Sequence, residues 1–253
     1  MIDLLSLSRV ELQEWVEISD KRFRSDQIFR WLWKQGARSF DEMSNLPATL
    51  RERLKTEARM QTIALSRTQS SSDGTAKMLF QLESGRHVET VLIPDFDDEG
   101  DPSRLTVCVS SQVGCAMACS FCATGTMGFQ QNLTSGEIVD QVRAANDLAL
   151  KLYGHRITNI VYMGMGEPML NYDAVLGSVE KLVSEDGMGL AARRLTISTV
   201  GLAGRIRQLA SEDYKVNLAV SLHSPFDKKR SSIMPVNRKA KTDLEALMES
   251  IEF

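Results

Sequence analysis

Four strand-like segments, each followed by a helix-like segment, fill the chain from residue 104 onward and restrict its fold more than any other feature. The apolar segments lie at 105–110, 157–163, 195–199 and 216–222, and the helical segments lie at 135–152, 172–184, 202–209 and about 242–252. Successive units of this kind predict a parallel sheet or barrel, because parallel neighbours are joined by crossover helices. In such folds ligands bind at the carboxyl ends of the strands.

A run of three cysteines follows the first of these strands. Cys115, Cys119 and Cys122 are spaced as C-x3-C-x2-C. Three thiolates this close can hold three irons of a 4Fe-4S cluster and leave the fourth iron open to a small molecule, which a cluster with four cysteine ligands cannot readily do. The spacing therefore favours redox radical chemistry over a purely structural metal.

Zinc is the main alternative for these cysteines, since closely spaced cytosolic cysteines often bind it. A structural zinc site normally has four ligands, and the candidate histidines His155 and His223 are distant in sequence. A disulfide framework is not favoured, because the chain is long, has only four cysteines and shows no secretory signal. The spacing alone leaves the iron–sulfur and zinc interpretations open.

Composition limits the class of protein. The 253 residues are 43% hydrophobic and 25% charged, as in ordinary globular domains, and no run of 18 apolar residues predicts a membrane span. With neither a span nor a signal peptide, we expect a cytoplasmic protein. The net charge of −3 gives no overall sign of nucleic-acid binding. Two basic segments without an acid, 191–207 and 228–241, are interpreted as solvated faces, with phosphate contact as the alternative.

Two further regions precede the strand–helix units. Residues 1–58 are predicted to be helical, with Ser8 and Glu11 in a capping box and an aromatic stripe that we assign to the core. Residues 59–103 contain strand-like segments separated by turn residues, which predicts a small antiparallel meander and a connector. We therefore divide the chain into a helical accessory domain, the meander with its connector, and a core at 104–253.

Polar or glycine-rich residues follow each predicted core strand. The second strand leads to Gly166 and Glu167, where glycine allows the backbone to approach a ligand and the carboxylate can take an ammonium group. His223 follows the fourth strand, and a single histidine there is as consistent with a structural role as with a functional one. The same balance holds for Glu89, an acid in an otherwise apolar meander strand, which either faces solvent or works at a site.

Longer stretches of the sequence resemble the RlmN/Cfr family of radical S-adenosylmethionine (SAM) RNA methyltransferases, and within it the branch that methylates adenine C2. The likeness covers essentially the whole chain and is far more specific than the cysteine run alone. It is carried by the following segments: 27–32, 38–43, 88–94, 108–115, 166–168 and 221–223.

The resemblance implies roles for individual residues. Cys115, Cys119 and Cys122 would ligate a 4Fe-4S cluster. Glu89 would accept a proton near the target base. Cys108 would be a redox-active thiol outside the cluster, which forms a transient disulfide while resolving a covalent RNA–protein intermediate. The SAM site would be lined by six residues: Gly166, Glu167, Ser198, Ser221, Leu222 and His223.

The same resemblance implies an α/β fold built on a partial TIM-like radical SAM barrel, and a two-stage reaction. An adenine carbon is too weakly nucleophilic to attack SAM directly, so the family methylates a protein cysteine and activates that methyl group with a 5′-deoxyadenosyl radical. The target base leaves its stack to reach the site. The expected substrates are 23S rRNA and tRNA, the expected electron donor is a flavodoxin or ferredoxin, and we expect a monomer without membrane contact.

The sequence departs from the family pattern in two respects. The family's methyl-carrying cysteine lies on a C-terminal loop, whereas all four cysteines here lie at 108–122. The family barrel has six units, whereas four are found here, and the family's late asparagine that contacts SAM is absent for the same reason. An open barrel of four units would expose a strand edge. We therefore expect these residues to be part of a longer protein and not to methylate RNA alone.

Three alternative functions stay open. The first is methylation at adenine C8, as in the Cfr branch, which these motifs do not separate from C2. The second is a non-catalytic, metal-dependent RNA-binding module, and the third is a radical SAM enzyme that acts on a protein or small molecule. RNA is favoured by the basic segments and by the accessory domain, which is made locally basic by Arg22, Arg24, Arg30, Lys34 and Arg38.

Overall fold

The computed structural model describes residues 1–253, except for the side chain of Lys239, which lies outside the described residues. The main sheet has seven strands, and its spatial order runs from the last strand in the chain to the first. In chain order they are β1 (Ile63–Ser70), β2 (Ala76–Leu82), β3 (His87–Phe96), β4 (Pro102–Cys108), β5 (Asn159–Tyr162), β6 (Leu195–Thr199) and β7 (Asn217–Val220). Strands β4 to β7 pair in parallel, so the predicted α/β fold is confirmed.

Helices connect the parallel strands, as predicted, with bounds that agree to within about two residues. In chain order the helices are α1 (Arg9–Glu17), α2 (Phe23–Trp33), α3 (Ala48–Glu57), α4 (Ala123–Thr126), α5 (Ser135–Tyr153), α6 (Tyr172–Val183), α7 (Ala203–Ala210), α8 (Asp227–Ile233), α9 (Val236–Ala240) and α10 (Leu244–Glu252). Helix α5 begins with a capping box formed by Thr134 and Glu137. None of the helices in the described chain is long and apolar enough to cross a membrane.

The antiparallel meander β1–β3 continues directly into the parallel strands. β3 pairs with β4, with Val91 opposite Cys108. The predicted meander and the predicted core thus share one sheet, and the proposed boundary between residues 103 and 104 falls inside β4. Alternate residues of β3 are buried, including Val88 and Thr90, which places Glu89 on the less buried face.

The N-terminal helices are fastened to the core through α5. The predicted capping box of Ser8 and Glu11 is present at the start of α1. Most of the aromatic stripe is buried on α2, which confirms its assignment to the core. Arg143 of α5 is 4% exposed and donates hydrogen bonds to the backbone oxygens of Ala37 at 2.6 Å and Met60 at 3.0 Å. A guanidinium held by two carbonyls fixes the N-terminal segment against the sheet.

The chain after β7 differs from the sequence-based expectation. One helix is predicted there, whereas the structure has α8, α9 and α10. The first two lie in the basic segment 228–241, and Arg230 in that segment is fully buried. The interpretation of this segment as a solvated face is therefore wrong for Arg230. The apolar signal was too sparse to indicate this packing, since only Met234 and Val236 in this segment are buried apolar residues.

Candidate active site

A cavity of about 300 Å3 lies at the carboxyl ends of the parallel strands. Parallel strands end at the same edge of a sheet, so residues distant in sequence meet there. Seven of the eleven predicted site residues line the cavity: Cys115, Cys119, Cys122, Gly166, Glu167, Ser198 and Ser221. The roles of these residues remain predictions.

A short two-stranded ribbon closes the loop that carries the cysteines. Gln112–Val113 pairs with Gln131–Asn132, and the Cys115 amide donates to the Gly128 oxygen at 3.1 Å. Gly114 has φ 71°, and a Cβ on it would lie 1.7 Å from the Gly128 oxygen. Only glycine fits at this point, because a side chain would collide with backbone that cannot yield.

The three thiols are close enough to affect one another. Burial raises the pKa of Cys119 to about 11, and the neighbouring Cys115 and Cys122 add to the shift. Among the described residues no group of three or more His, Cys, Asp or Glu side chains is already arranged to hold a metal ion. The three cysteines share a cavity without standing in coordination geometry.

The donor set fits an iron–sulfur cluster better than zinc. Three soft sulfur donors line the cavity, whereas structural zinc needs a fourth ligand. The carboxylate in this cavity belongs to Glu167, and it already accepts backbone N–H bonds from Met169 at 3.1 Å and Val200 at 2.9 Å. Burial raises the pKa of Glu167, and these backbone hydrogen bonds oppose the shift.

Glu167 is positioned by the loop after β4. Its backbone N–H donates to the Gln112 side-chain oxygen at 2.9 Å. Gly166 has φ 104°, and a Cβ there would lie 2.6 Å from the Gln112 Cβ. The glycine was predicted to allow close approach to a ligand, and the close neighbour that the structure shows is the loop carrying the cysteines. The two loops are therefore packed together as one unit.

Cys108 lies beside the cavity rather than in its lining. It is the last residue of β4, and its thiol is hydrogen-bonded to the backbone of Met163, which lines the cavity. Burial raises the pKa of the Cys108 thiol, and this hydrogen bond opposes the shift. The thiol is thus held next to the cysteine cavity but apart from the three cysteines.

Glu89 and Cys108 project from the same face of the sheet. Val91 lies opposite Cys108, and Glu89 is two residues from Val91 along β3, so the two side chains are diagonal neighbours. The Glu89 carboxylate is about half exposed and forms an ion pair with Lys77 of β2 at 2.9 Å. Lys77 had no sequence signal, because its contact with Glu89 depends on the register of β2 against β3.

A buried amide connects these strands to α5. Gln141 is 0% exposed, and its oxygen accepts from the Ser110 amide at 2.9 Å and the Thr90 hydroxyl at 2.7 Å. Its nitrogen donates to the Ser110 oxygen at 3.0 Å and the Glu137 oxygen at 3.1 Å. All four hydrogen-bonding positions of the amide are used.

Ser110 extends this network to the backbone of Glu89 and to the loop after β5. Its hydroxyl donates to the Glu89 backbone oxygen at 2.6 Å and accepts from the Met165 amide at 3.0 Å. β3, the end of β4 and the loop after β5 are therefore fixed relative to one another.

Leu222 and His223 lie outside the residues that line the cavity. Leu222 is largely exposed, and His223 has φ 56°, which is uncommon for a residue with a side chain. The His223 ring packs against Phe121, with 4.3 Å between ring centroids, and Phe121 lines the cavity. His223 thus packs against a residue of the cavity lining.

Comparison with known proteins identifies the family of this chain. Residues 2–60 match the ribosomal RNA large subunit methyltransferase N-terminal domain, and residues 109–252 match the radical SAM superfamily. A "Probable dual-specificity RNA methyltransferase RlmN" from Salinibacter ruber is 51% identical over 253 residues, covering 100% of this chain and 69% of the relative. The chain belongs to the RlmN family. Membership implies a 4Fe-4S cluster and SAM as cofactors, and the predicted family is confirmed.

Two further known proteins, one a curated relative and one a solved structure, are similar to this chain. A "Dual-specificity RNA methyltransferase RlmN" from Nitratidesulfovibrio vulgaris is 44% identical over 256 residues, covering 100% of this chain and 69% of its own length. A crystal structure of a radical SAM methyltransferase from Sphaerobacter thermophilus superposes with a TM-score of 0.90 at 45% identity, covering 99% of this chain and 71% of the other. The chain is therefore a SAM-dependent transferase by family.

Proposed function

We propose that this chain carries two domains of an enzyme that methylates C2 of adenine in 23S rRNA and tRNA. These are a helical domain that binds the RNA, at 1–58, and the radical SAM core, at 104–253. The observation that carries the proposal is the meeting of Cys115, Cys119 and Cys122 with the strand-end residues in one cavity. RlmN family membership supports the substrate class, since the relatives are named dual-specificity RNA methyltransferases.

The residues around the cavity hold and orient the cofactors. Bound cluster and SAM supply the electron, the radical and the methyl group. The three cysteines would ligate the cluster. The SAM-binding residues would be those predicted from sequence: Gly166, Glu167, Ser198, Ser221, Leu222 and His223. Four of these six line the cavity, which supports a contact with SAM.

Glu89 and Cys108 would complete the reaction on the RNA. Glu89 accepts the proton from the target carbon, and its half-exposed carboxylate is accessible to a base that has left its stack. The Cys108 thiolate would attack the cysteine sulfur that joins the RNA to the protein, so that the carbon–sulfur bond breaks, its electron pair stays with the carbon and is protonated, and a transient disulfide forms. Cys108 carries no disulfide in the structure, and its place outside the cysteine cavity supports a role other than cluster ligation.

The cellular setting follows from this chemistry. A reducing cytoplasm keeps Cys108 and the cluster ligands as thiols, and a flavodoxin or ferredoxin would supply the electron. We propose that the enzyme acts as a monomer.

Anaerobic reconstitution tests the cofactor assignment. With ferrous iron and sulfide, the protein should become brown and bind about four irons. Cys119→Ala should lose this iron, whereas Cys108→Ala should retain it and provides the matched control. Stoichiometric zinc bound by all three cysteines would instead support the metal-dependent RNA-binding module and overturn the proposal.

Nucleoside analysis tests the chemistry. RNA treated with the full-length enzyme, SAM and a reductant should yield 2-methyladenosine on mass spectrometry, and 8-methyladenosine would assign the Cfr reaction instead. The 253-residue polypeptide should give no turnover, because none of its four cysteines matches the family's methyl-carrying residue. Turnover by this polypeptide would contradict that expectation.

The role of the accessory domain is tested by charge reversal. Arg22 and Lys34 are exposed and contribute no buried contact. Arg22→Glu with Lys34→Glu should weaken RNA binding and flatten its salt dependence, because phosphate contacts are replaced by repulsion. Unchanged affinity of the protein for RNA at moderate salt would show that this domain does not contribute to RNA binding. Melting temperatures serve as the control for folding.

A further inference from the structure

Arg230 is a charged side chain buried beside the cavity. It lies on α8 and is 0% exposed, and it is the largest of the described side chains to be buried so completely. One guanidinium nitrogen donates to the backbone oxygen of Val200, which lines the cavity and whose own amide holds Glu167. The Nε of Arg230 is buried without a hydrogen-bond partner. A cation in this position carries a large desolvation cost.

The protein compensates this charge only indirectly. Arg230 donates to the Asn237 oxygen at 2.8 Å, and Asn237 in turn donates to Asp227 at 2.8 Å. Asp227 is exposed, so solvent screens its charge. The neutral amide of Asn237 lies between Asp227 and Arg230. Burial lowers the pKa of Arg230, and attraction to Asp227 and to Cys119 in its ionised form opposes the shift. One of the groups that attract this cation is therefore a predicted cluster ligand.

Helix α8 is also held against the cysteine loop. The Ser120 amide, between Cys119 and Cys122, donates to the Ile233 oxygen at the end of α8 at 2.9 Å. The next residue, Met234, lines the cavity. Arg230 is thus fixed between the loop that carries the thiols and the loop after β6.

We propose that Arg230 is the counter-charge of the cluster site, and that it sets how readily the bound cluster accepts an electron. The inference rests on the proposed function. Each thiolate ligand brings one negative charge, and the electron from the donor adds another without making or breaking a bond. A fixed cation stabilises the more negative, reduced form more than the oxidised form, because it interacts more strongly with the larger charge. Its burial beside the cavity that Cys119 lines therefore raises the reduction potential.

Charge and hydrogen bonding can be separated with two variants. Arg230→Lys keeps the cation and loses the planar fork, whereas Arg230→Gln keeps an amide donor and loses the charge. The full-length protein is reconstituted anaerobically, and the reduced cluster is followed by electron paramagnetic resonance at a series of fixed potentials. Arg143→Gln is the matched control, since Arg143 is also buried but lines a different cavity.

The potential should follow the charge. For Arg230→Gln the ratio of reduced to oxidised cluster at a fixed potential should fall about tenfold, or about 59 mV for a one-electron couple. This ratio corresponds to a free-energy difference of about 1.4 kcal/mol between the reduced and the oxidised form, the size expected of one partly screened unit charge. Arg230→Lys should stay within about threefold of wild type, and Arg143→Gln should not shift the potential.

Equal shifts in Arg230→Lys and Arg230→Gln would show that the hydrogen bonds matter and not the charge, and would overturn the inference. So would an unchanged potential in Arg230→Gln. If that variant does not fold, Arg230→Met removes the charge without burying an unpaired amide and carries the same test. Failure of the wild-type protein to bind iron and sulfide would instead overturn the proposed function, so the two outcomes are distinct.

Discussion

Replacing Gln141 with methionine should destabilise the protein and loosen the strands that carry Glu89 and Cys108. Methionine has nearly the same length but makes none of the four hydrogen bonds. The Ser110 N–H, the Ser110 carbonyl and the Thr90 hydroxyl would lose this partner, and Thr90 and Ser110 are 0% exposed. Each buried polar group left unsatisfied costs about 1–3 kcal/mol, so the free energy of unfolding should fall by at least about 3 kcal/mol. At about 2–4 °C per kcal/mol, the melting temperature should fall by at least about 6 °C.

Urea unfolding followed by tryptophan fluorescence measures this change, and Thr90→Val provides the graded comparison. The valine is nearly isosteric with threonine and removes one of the four bonds, so it should cost about 1 kcal/mol. Equal losses in Thr90→Val and Gln141→Met would refute the argument that the amide is the centre of the network.

Alkylation of Cys108 in the folded protein, followed by peptide mass spectrometry, reports the local effect. Gln141→Met should raise its rate about tenfold, which corresponds to opening made easier by about 1.4 kcal/mol. Asp140→Asn is the control, because Asp140 is the neighbouring residue of α5 and its carboxylate accepts from Thr62, just before β1, and not from β4. A similar rate in both variants would show that Cys108 responds only to global stability.

Three further predictions concern single side chains. Gly114→Ala should abolish iron binding in the reconstitution assay, because the new Cβ would lie 1.7 Å from a backbone oxygen. Gly204→Ala is the control and should retain iron binding, since its Cβ would meet nothing within 4 Å. Normal iron binding by Gly114→Ala would contradict the loop geometry. Burial lowers the pKa of Lys181 to about 8, against about 10.4 in the unfolded chain. The unfolded state then binds more protons between these values, so stability should rise from about pH 8 to about pH 10, and Lys181→Met should remove that rise in urea titrations. Lys77→Met breaks an ion pair that is half exposed on both sides, so urea unfolding should change by less than about 1 kcal/mol, and a larger loss would contradict a surface pair.

Local pattern was sufficient for the parts of the fold with strong periodicity. The observed bounds of β6 are the predicted ones, 195–199, because it is a short apolar segment bounded by polar or turn residues. The meeting of Cys119, Glu167 and Ser198 in one cavity also followed from the sequence, since parallel strands end at one edge.

The contacts that depend on register or on long-range packing could not be predicted. The pairing of Lys77 with Glu89 requires the alignment of β2 against β3, which no local pattern encodes. Gln141 is one polar residue in an amphipathic helix, and nothing in its neighbourhood indicates that its four hydrogen bonds go to β3, to Ser110 just after β4 and to its own helix. Arg230 was misassigned because a charged residue in a basic segment is usually exposed.

The hairpin formed by β3 and β4 should tolerate a change of length at its turn better than a change of length within β3. The turn at 97–101 is exposed and distant from the Thr90 and Ser110 contacts that align the other end. One residue added to that turn changes only the closure entropy of the connection, which is a small term. One residue deleted between Glu89 and Val91 would instead shift the alternation and turn the Glu89 side chain towards α5, away from Cys108. Homologous or engineered sequences should therefore vary in length at the turn and keep a constant spacing along β3.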